Sequence, residues 1–344
     1  MIDAVSENYL ELRNVKKYFH RPGAWLHAVD GVDFTLEKGK TIGIVGESGC
    51  GKSTLGRVVS RLLDSTGGEI LFEGNDILDY RGRKLKHLRR KIQMIFQDPF
   101  SSLNPRKTIY NTIAEPIKIQ RMYRGRKELE RKVLGVMEHV GIAARNVNSY
   151  PHELDGGRRQ RVGIARALAL DPELIICDEP VSALDVSIQA QILNMLKRLQ
   201  NEFGYTYIFI THDMSVVRHF TQEVVVMYLG QVVEKAPVDE LFLNPRHPYS
   251  EALLSAIPSL DIDNPKERII LKGELTSPIN PKDECRFADR CAYVTGMCRE
   301  KCPPLTEVSK GHTVRCYSPL SGSDAALTEG GGITQNKAYP LNNY

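Results

Sequence analysis

Short apolar runs alternate with helical periods along most of the chain, as far as Ser250. Thr41–Ile42–Gly43–Ile44–Val45 reads as a buried strand bounded by glycine. Leu55, Val58, Val59 and Leu62 follow it at helical spacing. Leu129, Val133, Val136 and Val140 mark a second helix, beyond a stretch from Leu103 to Pro116 that carries Pro and Asn. Leu174 to Cys177 and Tyr207 to Ile210 read as further core strands. Between them Ile188, Ile192, Leu196, Leu199 and Phe203 step by 4, 4, 3 and 4, which draws one apolar stripe down a long helix. Val224 to Glu234, with Gly230 near its middle, reads as a strand pair. Strands and helices that alternate in this way predict an α/β layer fold.

The character changes near Pro258. Proline becomes frequent, helical periodicity fades and cysteines gather. The predicted division is therefore 1–258 for the α/β domain, then 259–320 for a small Cys-rich C-terminal appendage. Residues 321–344 are polar and Gly-rich, and read as a disordered tail.

The remaining bulk properties mostly exclude. Net charge is +4, from 46 Lys and Arg against 42 Asp and Glu, too small an excess to argue for nucleic acid. The excess is uneven, because Arg81 to Lys91 holds seven Lys or Arg in eleven positions. A solvated face is the plain reading of that run; contact with a phosphate-rich surface or an acidic partner is the other. No apolar run approaches the roughly 18 to 20 residues of a spanning helix, and Met1 to Leu10 lacks a signal-peptide pattern. The expectation is a soluble, cytoplasmic chain whose membrane work, if any, needs other chains to do the spanning.

Gly46–Glu47–Ser48–Gly49–Cys50–Gly51–Lys52–Ser53 fits G-x-x-x-x-G-K-[ST] between a strand and an amphipathic helix. Glycines let successive N–H groups turn inward toward a β-phosphate, and the following helix adds its positive end. Lys52 is placed to reach the β- and γ-phosphates and Ser53 to ligate Mg²⁺. The nucleotide-binding set is Gly46, Ser48, Gly49, Gly51, Lys52, Ser53 and Thr54. Cys50 reads as a small filler. A second element, Leu174–Ile175–Ile176–Cys177–Asp178–Glu179, ends a buried strand in two carboxylates. Asp178 would hold Mg²⁺, and Glu179 would orient or deprotonate the attacking water. Together the two predict a P-loop NTPase.

Further segments resemble one family, the ABC transporter ATPases. His152–Glu153–Leu154–Asp155–Gly156–Gly157–Arg158–Arg159–Gln160–Arg161 resembles the signature segment, Ser182–Ala183–Leu184–Asp185 the D-loop and Thr211–His212–Asp213 the H-loop. Phe96–Gln97–Asp98–Pro99 resembles the Q-loop, and Tyr18 stands where the family places an adenine-stacking aromatic. All occur in family order, over roughly residues 8 to 250. The resemblance implies an ABC cassette over 1–258: a RecA-like core with a β subdomain and a helical subdomain at about 105–165. It also implies roles. Gln97 would ligand Mg²⁺ or water, His212 would contact the γ-phosphate, and Asp185 would run along a dimer seam. Asp155, Gly156 and Gly157 would face the ATP of a second cassette.

Two narrower resemblances bear on the cargo. Gln97–Asp98–Pro99–Phe100–Ser101–Ser102–Leu103–Asn104–Pro105–Arg106 is similar to the extended Q-loop of oligopeptide and dipeptide importer ATPases. Asn244 to Ser250, leading into Ala252 to Pro258, is similar to the C-terminal segment of that group, and within it to the "F" member of the paired "D" and "F" ATPases. The resemblance implies a peripheral subunit on the cytoplasmic face of a bacterial inner membrane. Its partners would be two transmembrane permeases and a second ATPase, with an extracytoplasmic peptide-binding protein acting indirectly. Related members serve nickel and some sugars, so a nickel or other small-solute importer stays open, as does a soluble ABC ATPase outside transport.

Cys285, Cys291, Cys298 and Cys316 resemble the C-terminal Cys motif of the same group, which in some members holds a 4Fe–4S cluster. Four thiolates suit a cluster or a structural zinc ion. Wide spacings without C-x₂-C pairs favour the cluster, while zinc and incidental thiols remain alternatives. Cys302, before Pro303–Pro304, is surplus to the motif. A metal is expected to hold this short segment folded.

One departure stands out. The family's signature usually reads Leu-Ser-Gly-Gly-Gln, whereas this chain has Leu154–Asp155–Gly156–Gly157–Arg158. A carboxylate cannot donate to a γ-phosphate as the serine does. At about 4 Å and an effective dielectric near 20 the like charges repel by on the order of 4 kcal/mol. A helix N-terminus offsets only about 0.3 to 2 kcal/mol of that. Protonating Asp155 or pairing it with Arg158 would soften the effect; the ATP site served by this signature is expected to be impaired.

Overall fold

The computed structural model describes residues 8–98, 102–257, 268–271, 273 and 276–321. Pro99 to Ser101 of the extended Q-loop, the expected boundary at Pro258 and the tail from residue 322 lie outside the described residues.

Two sheets form the frame. The smaller is antiparallel, in the order β2-β1-β4-β5, from β1 (Leu10–Arg21), β2 (Ala24–Leu36), β4 (Gly67–Phe72) and β5 (Asn75–Asp76). The larger has eight strands, with a parallel block of β9 (Glu223–Tyr228), β3 (Thr41–Val45), β8 (Thr206–Ile210), β7 (Leu174–Asp178) and β6 (Ile92–Ile95). Antiparallel β10 (Gln231–Pro237), β12 (His312–Val314) and β11 (Thr306–Ser309) extend it beyond β9.

The uninterrupted apolar runs are explained by burial on both faces of the large sheet. Along β7 and β8, Leu174, Ile176, Ile208 and Ile210 point into a core shared with the small sheet and α1 (Lys52–Val59). Ile175, Cys177, Tyr207 and Phe209 point into the opposite core, among the helices. That second core contains α3 (Ile109–Gln120), α4 (Arg126–His139), α5 (Gly156–Leu168) and α6 (Val186–Phe203), and α3 packs on both α4 and α5. The apolar stripe of α6 buries Ile192, Leu196 and Leu199, while Phe203 at its end is 41% exposed. Leu62 departs from the predicted helical stripe: α1 ends at Val59, and Leu62 is 47% exposed.

The basic run forms α2 (Gly82–Lys91), which buries Leu88 and leaves most of its cations in water. Lys91 at its end pairs with Glu73 at 2.7 Å and Glu173 at 3.0 Å. Among the described residues no helix is long and apolar enough to cross a membrane.

The expectation of a separate Cys-rich appendage does not hold. Val314 and Thr313 of β12 pair with Glu234 and Lys235 of β10, so the C-terminal region continues the central sheet. Arg315 N–H adds a bond to the Val233 carbonyl at 2.8 Å, and Phe287 is buried in a third core with Tyr228 and Tyr249. That core includes α7 (Met214–Phe220), α8 (Val238–Leu243) and α9 (Pro248–Ser255) through Val217, Leu241 and Leu254. A strand with a single large apolar residue, Val314, gave no periodicity to read.

A buried carboxylate fastens this junction. Glu234 is fully buried and accepts from the N–H groups of Arg246 at 2.7 Å and His247 at 2.9 Å. The buried imidazole of His312 stands 2.7 Å from the same carboxylate. Removing it strands two backbone donors and a ring nitrogen away from water. Glu234→Ala should lower the unfolding free energy by about 3 kcal/mol or more, followed by urea denaturation. A loss below about 1 kcal/mol would show that the junction does not depend on this group.

Candidate active site

Four parallel strands end side by side, and each delivers part of the site, as expected at the carboxyl edge of an open α/β sheet. The phosphate loop follows β3, Gln97 follows β6, Asp178 and Glu179 close β7, and His212 follows β8. Parallel pairing of Ile44 with Ile210, and of Asp178 with Ile210, sets their relative heights.

The loop's shape depends on two glycines in particular. Gly46 has φ +148, and a Cβ there would stand 2.2 Å from the Met227 carbonyl oxygen. Gly51 has φ +107 at the N-cap of α1, and its Cβ would meet the Ala28 carbonyl oxygen at 2.1 Å. Any side chain at either position forces the backbone to move. Lys52, 4% exposed, folds back to donate to the carbonyl oxygens of Gly46 at 2.7 Å and Glu47 at 3.0 Å. Its ammonium therefore lies along the inside of the loop that Gly49 and the exposed Ser48 complete. Cys50 is fully buried, and burial pushes its thiol up, which suits the filler reading.

Asp178 is 2% exposed and accepts from the Ser53 hydroxyl at 2.6 Å, with Thr54 next on the same turn of α1. Burial raises its carboxyl above the ordinary range, and the neighbouring Glu179 charge adds to that. A buried, raised carboxylate beside a hydroxyl is the oxygen donor set a hard divalent cation takes.

Glu179, one residue on, turns away with φ +47, a left-handed backbone that non-glycine residues adopt at some cost. The turn carries its carboxylate to two partners from other strands. Gln97 Nε2 donates to Oε2 at 2.8 Å, and His212 Nδ1 stands 3.3 Å from Oε1. Glu179 is held yet reachable, with a side chain 12% exposed beside a His212 that is 58% exposed.

The other predicted residues lie elsewhere. Asp155 is the N-cap of α5: its carboxylate accepts from Arg158 N–H at 2.7 Å and stands 3.4 Å from the Arg158 Nε. Asp and Ser are both strong caps, so the helix start survives a residue that changes the sign of the end. Gly157 is pressed against the D-loop helix, where a Cβ would come 2.6 Å from Ile188 Cγ2; Gly156 faces Leu184. Asp185 caps α6, accepting from Ile188 N–H at 3.0 Å and the Ser187 hydroxyl at 2.7 Å. Tyr18 stacks on His27, ring centres 3.9 Å apart, and its hydroxyl donates to Asp30.

In the C-terminal region Cys285, Cys291, Cys298 and Cys316 lie near one another. Burial pushes the Cys285 thiol up to about 12, and the other three sulfurs add to it through their charge. Several of the sulfurs face a donor. Tyr293 N–H points at Cys291 Sγ from 3.4 Å, the Thr295 hydroxyl is 3.3 Å from Cys298 Sγ, and the N–H groups of Phe287 and Ser318 face Cys285 and Cys316. Cys302 stands apart, toward Gln231 and the Pro303 carbonyl. Among the described residues no group of three or more His, Cys, Asp or Glu side chains is arranged to hold a metal ion.

Sequence reasoning passed over four residues around this site: Glu47, Asp30, Arg286 and Arg290. Arg290 binds Glu47 and Arg286 binds Asp30, across 243 and 256 residues of chain. No local pattern carries contacts of that range.

Comparison with known proteins agrees with this geometry. Residues 29–182 match the model of the ABC transporter family, and residues 233–298 that of the oligopeptide/dipeptide transporter C-terminal region. The oligopeptide transport ATP-binding protein AppF of Bacillus subtilis is 52% identical over 92% of this chain and 99% of its own length. The dipeptide transport ATP-binding protein DppF of Escherichia coli is 48% identical over 88% of this chain and 90% of its own. A solved dimeric ATP-binding cassette in a post-hydrolysis state, bound to ADP and Pi, superposes with a TM-score of 0.61 at 31% identity, covering 67% of this chain and 98% of that one. The chain belongs to the ABC transporter family, among the oligopeptide and dipeptide transport ATP-binding proteins.

Proposed function

We propose that this chain binds and hydrolyses ATP at the ends of β3, β6, β7 and β8, and that the cycle drives import of short peptides through membrane-spanning partners. The observation that carries the reading is the joining of Gln97, Glu179 and His212 from three strands, beside the Ser53–Asp178 pair. The peptide cargo is supported by AppF and DppF, whose names give oligopeptide and dipeptide transport.

In this reading the phosphate loop takes the β-phosphate on its N–H groups, and Lys52 exchanges its bonds to the Gly46 and Glu47 carbonyls for phosphate oxygens. Ser53, Asp178 and Gln97 would hold Mg²⁺, which would supply positive charge against the phosphates. Glu179 Oε takes a proton from the attacking water, and Gln97 and His212 keep that carboxylate aimed. His212 turns toward the γ-phosphate and stabilises the charge developing there. Tyr18 stacks on adenine with the face that His27 leaves free.

Closure of two cassettes head to tail supplies the work, because ATP favours the closed state. The dimeric cassette with ADP and Pi supports such pairing. Asp155, Gly156, Gly157 and Asp185 would face the second cassette. Asp155 is 61% exposed in the single chain, so water weakens its repulsion there; closure onto a γ-phosphate removes that screening. A partner ATPase with an ordinary signature would then complete the site built on Lys52 and Glu179. The assembly would be a heterodimer on two permeases at the cytoplasmic face of a bacterial inner membrane, served by an extracytoplasmic peptide-binding protein.

The four clustered thiols of Cys285, Cys291, Cys298 and Cys316 would hold a 4Fe–4S cluster. Hydrogen-bond donors aimed at the sulfurs suit thiolates.

Three tests follow from these roles. Glu179→Gln should retain ATP binding, trap the closed dimer and lower turnover of the assembled transporter by at least about 10²-fold; near-normal turnover contradicts the role. Asp155→Ser should change turnover little or raise it, whereas Ser→Asp in the partner's signature should nearly abolish it. Equal losses would show that the carboxylate is tolerated. Protein purified without oxygen should carry about four irons per chain, lost on replacing any of the four thiols by Ser but not with Cys302→Ser. Metal-free protein would end the cluster reading, and one zinc per chain would replace it.

A further inference from the structure

The segment from Cys285 to Cys291 returns to the phosphate loop and sets two arginines against residues of the nucleotide site. Arg290 forks onto Glu47, the second residue of that loop: Nη1 donates to Oε2 at 2.6 Å and Nη2 to Oε1 at 3.0 Å. The Arg290 side chain is 9% exposed, and its guanidinium also lies 5.9 Å from the Tyr228 ring centre. Glu47 raises the Arg290 pKa further, so the guanidinium is permanently charged.

Arg286 is buried more deeply. One Nη donates to the Leu229 carbonyl and the other to Asp30. Burial pushes the Asp30 carboxyl up, but hydrogen bonds from Tyr18 and His27 and the Arg286 charge outweigh it, so the group stays below its ordinary value as a carboxylate. Asp30 therefore anchors Tyr18 by its hydroxyl and stands 3.2 Å from His27 Nδ1, the ring against which Tyr18 stacks.

Exposed ion pairs of this kind contribute little to stability. These two are sheltered, and the first is bidentate, a geometry that fixes orientation as well as charge. Their targets matter more than their energy. Glu47 belongs to a loop whose N–H groups must converge on phosphate, and Asp30 fixes the ring meant for the base. A loop or ring that samples other arrangements binds more weakly in proportion to the time it spends there.

We propose that Arg290 and Arg286 are positioning residues for ATP. Arg290 fixes the phosphate loop through Glu47, and Arg286 fixes Tyr18 through Asp30, so the Cys-rich segment sets nucleotide affinity at both ends of the site. The proposal rests on the ATP-site reading above.

The two arms separate by ligand. With the full chain and Mg²⁺, Arg290→Ala should weaken a fluorescent ATP analogue and inorganic tripolyphosphate alike, each by at least about fivefold. Arg286→Ala should weaken the ATP analogue by a similar factor and leave tripolyphosphate, which has no base, within about twofold. Arg290→Lys should recover part of the loss. In the assembled transporter the Arg290→Ala defect should appear in KM for ATP, with kcat largely kept. Should an arginine variant fail to fold, Glu47→Gln and Asp30→Asn break the same pairs from the other side. Unchanged affinities in folded variants overturn the proposal, as does Arg286→Ala weakening both ligands equally, which is what a merely structural role predicts. Failure of the unaltered chain to bind the ATP analogue, or binding unaffected by Lys52→Ala, would instead overturn the ATP-site reading.

Discussion

Parallel pairing across β3, β8, β7 and β6 aligns the carboxyl ends of four strands that are far apart in sequence. Nearly every other feature of the site follows from that alignment. The pairing is stable because both faces are buried: alternate residues of β7 and β8 enter opposite cores. A slip of one residue would reverse every side chain and carry the terminal carboxylates out of reach of the phosphate loop. The apolar runs therefore do two things at once, filling two cores and setting where Asp178, Glu179 and His212 emerge.

At those ends the fold accepts local cost. Asp178 is buried with a carboxyl pushed toward protonation, Glu179 holds a left-handed backbone, and the Lys52 ammonium rests on the Gly46 and Glu47 carbonyls, 3.9 Å from Cys50 Sγ. The first and last make sense once a polyanion and a divalent cation are supplied: the cation would favour the ionised carboxylate, and the phosphates would take over the ammonium.

Much of this was legible in the order of residues. The strands Thr41 to Val45, Leu174 to Cys177 and Tyr207 to Ile210 announced themselves because doubly buried strands need continuous apolar runs, and the phosphate loop because its chemistry demands glycine at fixed offsets. What escaped reading was long-range or locally faint. The three residues of β12 carry one large apolar side chain, so nothing in the sequence marks them as part of the central sheet, and local pattern predicts an appendage there. At Asp155 the sequence shows a charge opposed to phosphate and a candidate Arg158 partner, which stands 3.4 Å away, while the structure also makes it the cap of α5, a role that Asp and Ser share. The Arg290–Glu47 and Arg286–Asp30 pairs join points more than two hundred residues apart, beyond any periodicity. Leu62 fitted a helical stripe by spacing alone, but the helix stops before it.

One coupled event underlies the function: ATP hydrolysed at the strand ends drives the movement of peptide. Its most direct test is ATPase activity of the complete transporter in proteoliposomes, with short peptides and their binding protein on the substrate side. The account predicts turnover that rises several-fold with peptide and tracks peptide uptake. Turnover indifferent to peptides but stimulated by nickel or a sugar would contradict it, as would peptide uptake without ATP consumption.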